Sequence, residues 1–373
     1  MRVLMLNYEY PPLGGGAGNA TYYLLREFGK RDDLTVDLVT SSATGRFEEE
    51  HPASNITIYK LPVRKKSIHY WTMGEIISYS ARAYVFISRI GTGQYDLTHA
   101  FFGIPCGGIA WTRRKESPYI VSLRGSDVPG FNERFAFQYV FLSPIIRHIW
   151  RQARAVVANS AGLQDLAHRT DPMLPLHLIP NGIDTREFTL RADRNDGRIV
   201  LLTVARLIQR KGIDDLIQAL PEVLKECPDL LVRIIGEGNM EEDLRTLARD
   251  LGVADHIEFL GYIRHEDLPN RYAASDIFIL PSRNEGMSNT VLEAMASGLP
   301  IITTATGGTK ELIQGNGQIV PPGRPDALAA AIRQYAHDLI LRRNHGSRSR
   351  ELAEGMDWKR VADRYVQLYG ETG

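Results

Sequence analysis

Two glutamates, Glu285 and Glu293, lie eight residues apart in the segment NEGMSNTVLEAMASGLPII. A glycine-containing turn follows the first, and the pattern then predicts a helix that carries the second about two turns in, on the same side. Apolar residues surround Glu293 in this helix, so its charge needs a partner such as a ligand hydroxyl. Glutamates at this spacing also occur on solvated helix faces. The segment therefore indicates either a ligand-binding wall or an ordinary helix surface.

Two cations, Arg206 and Lys211, lie in a second segment, VARLIQRKGIDDLIQAL. They follow a predicted strand and precede a predicted helix. The apolar face of that helix consists of Ile213, Leu216, Ile217 and Leu220. A guanidinium and an ammonium beside helix N-terminal amides suit a diphosphate, because the amide donors and the helix dipole add to both charges. On residue type alone, a solvated basic turn is the alternative.

A third segment, PPLGGGAGNATYYLL, concentrates glycines at residues 14, 15, 16 and 18. Glycine permits positive φ and has no Cβ, so this turn either lets a ligand approach the backbone closely or makes a hard bend. A dinucleotide fingerprint is not formed, because Asn19 stands where its third glycine belongs. The second predicted strand also ends without the acidic residue that would bind a ribose. A nicotinamide-dependent oxidoreductase is therefore disfavoured.

Short runs rich in Val and Ile alternate with stretches of helical period, which is typical of buried parallel strands in an α/β fold. A polar segment at 181–198 separates two series of such runs and predicts a linker. Two doubly wound domains then face each other across a cleft, and ligands bind such sheets at the C-terminal ends of the strands. The runs are 3–6, 36–40, 120–123, 156–158, 199–204, 231–235, 257–259, 277–280 and 301–303.

Composition narrows the class of protein. The 373 residues are enough for two cores, and Lys plus Arg equals Asp plus Glu at 44 each, so no overall basic field attracts nucleic acid. The cysteines, Cys106 and Cys227, lack metal-site or disulfide spacing. No signal peptide or membrane-spanning run is predicted, so we expect a cytoplasmic protein.

The quoted segments, with IIGEG, FLGYI, IPNGID and YPPLGGGAGN, resemble the retaining GT-B glycosyltransferases of family four in order and spacing along almost the whole chain. The resemblance implies an α/β fold with two Rossmann-like, doubly wound domains. We expect an acceptor-side domain at 1–182 and a nucleotide-sugar domain at 183–355. The segment 356–373 resembles the family's last helix, which crosses back to the N-terminal domain.

The resemblance implies transfer of a sugar from a nucleotide diphosphate sugar, with retention of anomeric configuration and without a metal or cofactor. No D-x-D pair occurs in the chain, which agrees with catalysis without a metal. We expect a UDP-sugar as donor, with a GDP-mannose-dependent mannosyltransferase as an alternative. A nucleotide-sugar epimerase of GT-B architecture is a further alternative, whereas a catalytically dead binding protein is disfavoured by the two glutamates and two cations.

The family's motifs also imply a role for each matching residue. Arg206 and Lys211 neutralise the donor diphosphate, Glu293 accepts from the ribose hydroxyls, and Glu285 lies near the reaction centre of the donor sugar. Further donor contacts are implied at Gly286, Met287, Ser288 and Asn289 for diphosphate and sugar, at Tyr262 and Ile263 for the base, and at Gly15 and Gly16, which let the N-terminal domain close on the diphosphate.

Arg124 departs from the family, since many relatives carry a histidine at this strand end, close to the donor sugar. An arginine cannot shuttle a proton at neutral pH and presents a fixed fork of donors. It either pairs with Asp127 or another carboxylate as a structural fork, reaches the diphosphate, or binds a carboxylate on the sugar. Our hypothesis is that Arg124 contacts the donor and helps to offset the charge of the leaving group.

A basic run, Arg64, Lys65 and Lys66, precedes Tyr70 and Trp71. Basic residues beside interfacial aromatics suit an anionic membrane surface that carries a lipid-linked acceptor. A solvated charged loop is the alternative. We therefore expect a glycan or lipid-linked acceptor in cell-surface polysaccharide synthesis, with weak peripheral attachment to the inner face of the membrane.

Overall fold

The computed structural model describes residues 1–68, 70–131, 136–190 and 197–372. The chain divides into two compact units. Unit 1 comprises Met1–Gly182 together with Trp358–Gly373, and unit 2 comprises Ile183–Asp357. Among the helices of these described residues, none is long and apolar enough to cross a membrane.

Unit 1 is built around one eight-stranded sheet. Its strands are β1 (Arg2–Leu6), β2 (Thr35–Ser41), β3 (Glu48–Ala53), β4 (Ile56–Leu61), β5 (Leu97–Phe101), β6 (Tyr119–Ser122), β7 (Ala155–Ala158) and β8 (Leu176–Leu178). Its helices are α1 (Gly16–Phe28), α2 (Met73–Ile90), α3 (Gly108–Thr112), α4 (Ala136–Gln152), α5 (Ala161–Thr170) and, at the end of the chain, α13 (Trp358–Thr372). The spatial order is β3-β4-β2-β1-β5-β6-β7-β8, and every pairing is parallel except that of β3 with β4.

Unit 2 contains a six-stranded parallel sheet. Its strands are β9 (Val200–Val204), β10 (Leu231–Ile235), β11 (Ile257–Phe259), β12 (Ile277–Leu280), β13 (Ile301–Thr304) and β14 (Gly317–Val320). Its helices are α6 (Ile213–Leu224), α7 (Glu241–Asp250), α8 (Leu268–Ala273), α9 (Asn289–Ala296), α10 (Thr309–Leu312), α11 (Pro325–His337) and α12 (Leu339–Glu354). The spatial order is β11-β10-β9-β12-β13-β14.

The core of each unit follows from its apolar strands. In unit 2, β9 and β12 are buried along their whole length, as expected of parallel strands covered by helices on both faces. The four residues predicted to form the apolar face of α6 are all buried: Ile213, Leu216, Ile217 and Leu220. In unit 1, α13 packs on α1, where the rings of Trp358 and Tyr23 stack with centroids 5.3 Å apart. The predicted doubly wound α/β architecture is therefore confirmed for both units.

Each sheet has one point where the strand order reverses. In unit 1 this point lies between β1 and β5, and in unit 2 it lies between β9 and β12. The connections that leave the two central strands diverge there, so a crevice opens at their C-terminal ends, where doubly wound proteins bind ligands. The glycine-rich turn follows β1, and the basic and acidic segments follow β9 and β12.

The segment expected to be a linker at 181–198 is only partly one. Ile183 forms a parallel bridge with Asp357, and Phe188 is fully buried in the core of unit 2. The stretch 183–190 therefore contributes to a folded unit, because its aromatic ring has an apolar site to fill. Residues 191–196 of the expected linker lie outside the described residues.

Candidate functional site

An ion pair between Lys211 and Glu285 lies at the point where the strand order of unit 2 reverses. Lys211 ends a short 3-10 turn after β9, and Glu285 lies in the loop after β12. The two side chains are 12% and 16% exposed. Ser282 also donates to the Glu285 carboxylate, Oγ to Oε2 3.3 Å. The predicted cation and carboxylate therefore meet at one half-buried site.

Each charge of the pair favours the ionised form of the other group. Burial lowers the pKa of Lys211, and the Glu285 carboxylate opposes that effect. Burial, the largest single effect, disfavours the ionised form of Glu285, but the Lys211 ammonium together with the neighbouring cations holds the pKa of this carboxyl below its ordinary value. Positive charge on Arg210 and Arg206 acts in the same direction. At neutral pH the site therefore holds an ionised carboxylate within a cluster of cations.

Arg210 is a site residue that the motif reasoning missed. It is half-buried, burial lowers its pKa, and the charge of Glu285 opposes that effect. Its position one residue before Lys211, in the same basic turn, was the available signal. Arg206, which was predicted, is exposed.

A glycine fixes the geometry of the basic turn. Gly212 has φ +65°, and a Cβ built there would lie 2.1 Å from the carbonyl oxygen of Pro281. Both the left-handed conformation and the close approach require glycine. The residue also caps α6, so the turn that carries Lys211 is pressed against the end of β12.

The loop that carries Glu285 leads into α9, which begins at Asn289 after the N-cap Ser288. The Ser288 side chain makes no capping hydrogen bond, and the first turn of the helix contains no acidic residue. The first amides of α9 are thus placed to donate to an anion at this end of the sheet. Gly286 is partly exposed, whereas Met287 and Ser288 are buried.

A small pocket opens between this loop and the loop after β13. It is lined by Glu285, Gly286 and Ser288 from one side and by Thr306 and Thr309 from the other. The Glu285 carbonyl accepts from the amide of Gly307 at 3.0 Å, which fastens the two loops together. The sequence analysis did not identify these threonines, although Thr306 lies in the loop that follows β13 and Thr309 begins the next helix, α10.

Glu293 lies just over one turn into α9, not two, because the helix begins only at Asn289. It is 5% exposed and accepts a hydrogen bond from the Tyr272 hydroxyl, 2.7 Å to Oε2. His265 Nδ1 lies 4.0 Å from the other carboxylate oxygen. Burial raises the pKa of Glu293, opposed by His265 and Tyr272. The hydrogen-bond partner that the apolar surroundings of Glu293 require is therefore the Tyr272 hydroxyl.

Tyr262 and Ile263 follow Gly261 in the loop after β11. Tyr262 is 58% exposed, and Ile263 packs partly against the core of unit 2. The carbonyl of Gly261 accepts from the amide of Gly236 at 2.8 Å, which ties this loop to the one after β10.

The glycine-rich turn lies at the reversal point of unit 1. Gly14 has φ +91°, and a Cβ there would lie 2.6 Å from Glu9. Gly15 caps α1, its amide donates to Glu9 Oε2 at 3.2 Å, and both Gly15 and Gly16 are exposed. The turn is therefore a sharp bend with an open backbone at the start of a helix.

Arg124 lies at the end of β6 in unit 1. Its guanidinium donates to Asn181 Oδ1 at 3.0 Å and to the Tyr365 hydroxyl at 3.5 Å, and it covers the Phe101 ring at 4.5 Å from the centroid. Asp127, one carboxylate considered as its partner, instead accepts from the backbone amides of Arg124 and Gly103.

The expectation that Lys65 faces a membrane is wrong. Its side chain is 5% exposed, and its ammonium donates to Tyr70 O at 2.6 Å and to Glu75 Oε2 at 3.1 Å. The same ammonium lies 3.6 Å from the centroid of the buried Trp71 ring. A buried cation–π contact and ion pair therefore use this lysine internally. Arg64 and Lys66 are exposed.

Two doubly wound units in one chain, with a charged site at the reversal point of the second, are typical of the GT-B class of glycosyltransferases. Two family models cover nearly the whole chain: Glycosyltransferase Family 4 matches residues 14–187, and Glycosyl transferases group 1 matches residues 185–352. The chain therefore belongs to the glycosyltransferases of family 4, group 1.

Known proteins resemble the chain over its full length. A GDP-mannose-dependent monoacylated alpha-(1-6)-phosphatidylinositol monomannoside mannosyltransferase of Corynebacterium glutamicum is 26% identical over 98% of this chain and 97% of its own. Sucrose-phosphate synthase of Thermosynechococcus elongatus has the same fold, with TM-score 0.85, 21% identity and coverage of 100% of this chain and 98% of its own. HepE of Anabaena, solved in complex with UDP, superposes with TM-score 0.76 at 19% identity and covers 100% of both chains.

Proposed function

We propose that the protein is a retaining, metal-independent hexosyltransferase that moves a sugar from a nucleotide diphosphate sugar to a glycan or lipid-linked acceptor. The observation that carries this proposal is the Lys211–Glu285 pair at the strand-order reversal of unit 2. In the proposed site this half-buried cation meets the diphosphate, and the half-buried carboxylate beside it meets positive charge on the sugar.

The main requirement of the reaction is stabilisation of the charge that develops on the leaving group. As the bond between the anomeric carbon and the diphosphate oxygen breaks, negative charge grows on the diphosphate and positive charge grows on the sugar ring. In the proposed mechanism Lys211 and Arg206 offset the first charge, together with the first amides of α9. The ionised Glu285 carboxylate stabilises the second. Arg124, Gly15 and Gly16 of unit 1 belong to the proposal as further donor contacts.

Glu293 is proposed to orient the nucleotide through its ribose. The fully buried Tyr272 donates its hydroxyl to Oε2 of Glu293, and this hydrogen bond fixes the rotamer of the carboxylate. In the proposed complex the other oxygen, toward the partly exposed His265, accepts from the ribose hydroxyls. The backbone at Tyr262 and Ile263 is proposed to contact the base.

We take a UDP-sugar as the expected donor. GDP-mannose is the second candidate, and the GDP-mannose dependence of the Corynebacterium relative favours it. A thermal-shift screen with UDP-, GDP- and ADP-sugars separates the two, because a ligand that binds only the folded protein raises its unfolding temperature. A larger shift with GDP than with UDP overturns the expected donor, and no shift with any of them overturns the nucleotide-sugar site.

Product analysis tests the reaction type. A labelled donor and a purified acceptor fraction should give an acceptor-dependent glycoside that retains the donor's anomeric configuration. A 2-epimer of the donor formed without acceptor would identify an epimerase, and an inverted glycoside would exclude retention. Activity that survives exhaustive treatment with a chelator supports metal independence, whereas activity restored only by a divalent cation contradicts it.

We also propose that unit 1 attaches the protein weakly to the cytoplasmic face of an anionic membrane, as suits a lipid-linked acceptor in cell-surface polysaccharide synthesis. One side of α2 exposes Met73, Ile77 and Tyr84 at helical spacing, and Val85 is exposed next to them. The exposed Lys66 lies at the start of this helix, since its amide donates to Glu75 at 3.0 Å. Apolar side chains flanked by basic ones favour binding in the headgroup region.

A further inference from the structure

One arginine joins the two loops that bring Lys211 and Glu285 together. Arg283 lies in the loop after β12, two residues before Glu285. Its guanidinium donates through Nη1 to the carbonyl of Gln209 at 2.9 Å. Its Nη2 donates to Asp214 Oδ2 at 2.7 Å and to Asp215 Oδ1 at 2.8 Å. The side chain therefore reaches across from the Glu285 loop to the basic turn.

The backbone of the same residue makes a further link. The amide of Arg283 donates to the carbonyl of Arg210 at 2.8 Å. The turn Gln209–Lys211 is thus held at two consecutive carbonyls by one residue of the opposite loop. Since Lys211 is the next residue of this turn, its Cα cannot shift relative to the Glu285 loop without breaking these bonds.

The charges make the link specific for an arginine. Asp214 and Asp215 lie in the first turn of α6, with side chains 16% and 6% exposed. Burial raises the pKa of Asp215, and the Arg283 guanidinium opposes it. A planar fork can serve the carbonyl and both carboxylates at once, whereas a lysine has a single point of charge.

We infer that Arg283 is a positioning residue for the transfer reaction, holding Lys211 at the place where it meets the donor diphosphate. The inference rests on the proposed function. Arg283 acts through the basic turn and not by touching the donor, so its loss lowers diphosphate affinity only as long as Lys211 is present. A preorganised cation loses less affinity to conformational entropy than one on a loose turn.

The test is a double-mutant cycle on UDP affinity, measured by calorimetric titration, with GDP as probe if the thermal screen selects it. Arg283→Gln is expected to weaken binding about tenfold, and Lys211→Met by at least as much. In the Lys211→Met background, Arg283→Gln should cause no further loss, because the residue it positions is gone. Arg283→Lys should fall between wild type and Arg283→Gln.

Arg233→Gln is the matched control. This arginine is 21% exposed and, like Arg283, pairs with a carboxylate, Glu258 at 2.8 Å, and with a carbonyl, that of Ala274 at 3.4 Å. The Arg233→Gln variant should bind UDP with wild-type affinity. If Arg283→Gln fails to fold, Arg283→Lys and Asp214→Asn carry the same cycle. Additive losses, or wild-type affinity in the Arg283 variants, overturn the inference. A wild-type protein that binds no nucleotide diphosphate overturns the proposed function instead.

Discussion

Lys211 and Glu285 are 74 residues apart in sequence, and their side chains form a half-buried ion pair at the C-terminal ends of two adjacent parallel strands. Removing either charge leaves the other without its partner in a poorly solvated place. A pair of this kind contributes little to stability compared with an apolar substitute, so its placement at the strand-order reversal points to function.

Glu285→Gln is expected to lower kcat by about 100-fold or more, because the carboxylate acts on charge that develops in the transition state. UDP affinity should change less than about threefold, since the glutamine does not remove Lys211 from the diphosphate. Steady-state kinetics and calorimetric titration measure the two effects separately. Weakened UDP binding with an unchanged kcat would mean that Glu285 acts on the nucleotide and not on the sugar.

Glu293→Gln should instead weaken UDP binding by about tenfold or more, as expected for loss of a hydrogen bond to a charged acceptor. The Tyr272 hydroxyl can still donate to the amide oxygen, so the fold is retained. The ratio of kcat between the variant and the wild type at saturating donor should stay near one. Unchanged UDP affinity with a large loss of kcat would reverse the assignment of the two glutamates.

The same variant has a pH-dependent effect on stability. Burial raises the pKa of Glu293, so the folded protein holds this proton more tightly than the unfolded chain does. Stability contributed by Glu293 is therefore lost as the pH rises from the ordinary value, about 4.3, through the raised folded value. Above that window Glu293→Gln, which cannot ionise, should unfold at a higher temperature than wild type.

The difference in unfolding temperature should be smallest near pH 4, because Glu293 is then mostly protonated in both states. Glu242→Gln, on the exposed side of α7, is the control and should not change the pH profile. Calorimetric scans from pH 4 to pH 8 give the comparison. A variant less stable than wild type at pH 8 would show that the carboxylate is stabilised by its surroundings.

The glycine-rich turn gives a paired prediction. Gly14→Ala should destabilise unit 1 by about 1–2 kcal/mol, because φ is +91° and the added Cβ meets Glu9 at 2.6 Å. Gly16→Ala lies at the exposed start of α1, where alanine is at least as good a helix former, so stability should not fall. If the turn contacts the donor, Gly16→Ala raises KM for the donor. A wild-type KM would make the turn a structural bend.

Much of the parallel framework was predictable, because its strands are short apolar runs buried on both faces. The strand β3 was missed, since its sequence EEEHPA is polar and it pairs only along one edge of the sheet. The strand β14 was missed because GQIV is short and begins with a glycine. The strands β4, β5 and β8 were also absent from the predicted runs. β3, β8 and β14 are edge strands, which lack the burial that makes central strands recognisable, whereas β5 is buried along its whole length and was missed because Thr98 and His99 interrupt its apolar run.

The residue types of the site were predictable from the sequence, whereas the contacts between these residues were not. Strand-end positions identified Lys211 and Glu285, but their pairing depends on β9 and β12 being neighbours, which sequence order does not reveal. Glu293 was placed a turn too deep because the loop 284–288 extends further than the pattern indicated. Lys65 was misjudged because its aromatic and acidic partners, Trp71 and Glu75, become apparent only when the loop folds on α2.

The proposed membrane attachment predicts that substitutions on the exposed side of α2 weaken binding to anionic vesicles. Ile77 is 60% exposed there, and Ile77→Asp should lower recovery on vesicles containing anionic lipid about tenfold at low salt. Lys66→Glu should have a similar effect, which rising salt should abolish. Ile340→Asp, at 73% exposure on α12 of unit 2, is the matched control and should bind as wild type does. Equal sedimentation of all four proteins with the vesicles would exclude the proposed surface.

Arg124 provides the last prediction, because its guanidinium has neutral partners. The hydrogen bond to Asp127 comes from the backbone amide of Arg124 and survives any substitution of the side chain. In Arg124→Met a thioether of similar bulk can cover the Phe101 ring that the guanidinium now covers. The variant should therefore fold with near wild-type stability.

The same variant is expected to lose about 100-fold in transfer rate if Arg124 offsets charge on the leaving group. Arg124→Lys keeps the charge without the fork and should recover only part of that loss. Arg151→Met, which removes an ion pair with Asp171 elsewhere in unit 1, is the control and should transfer at the wild-type rate. An Arg124→Met protein that unfolds, or that keeps full rate and donor affinity, would make Arg124 a structural fork between Asn181 and Tyr365.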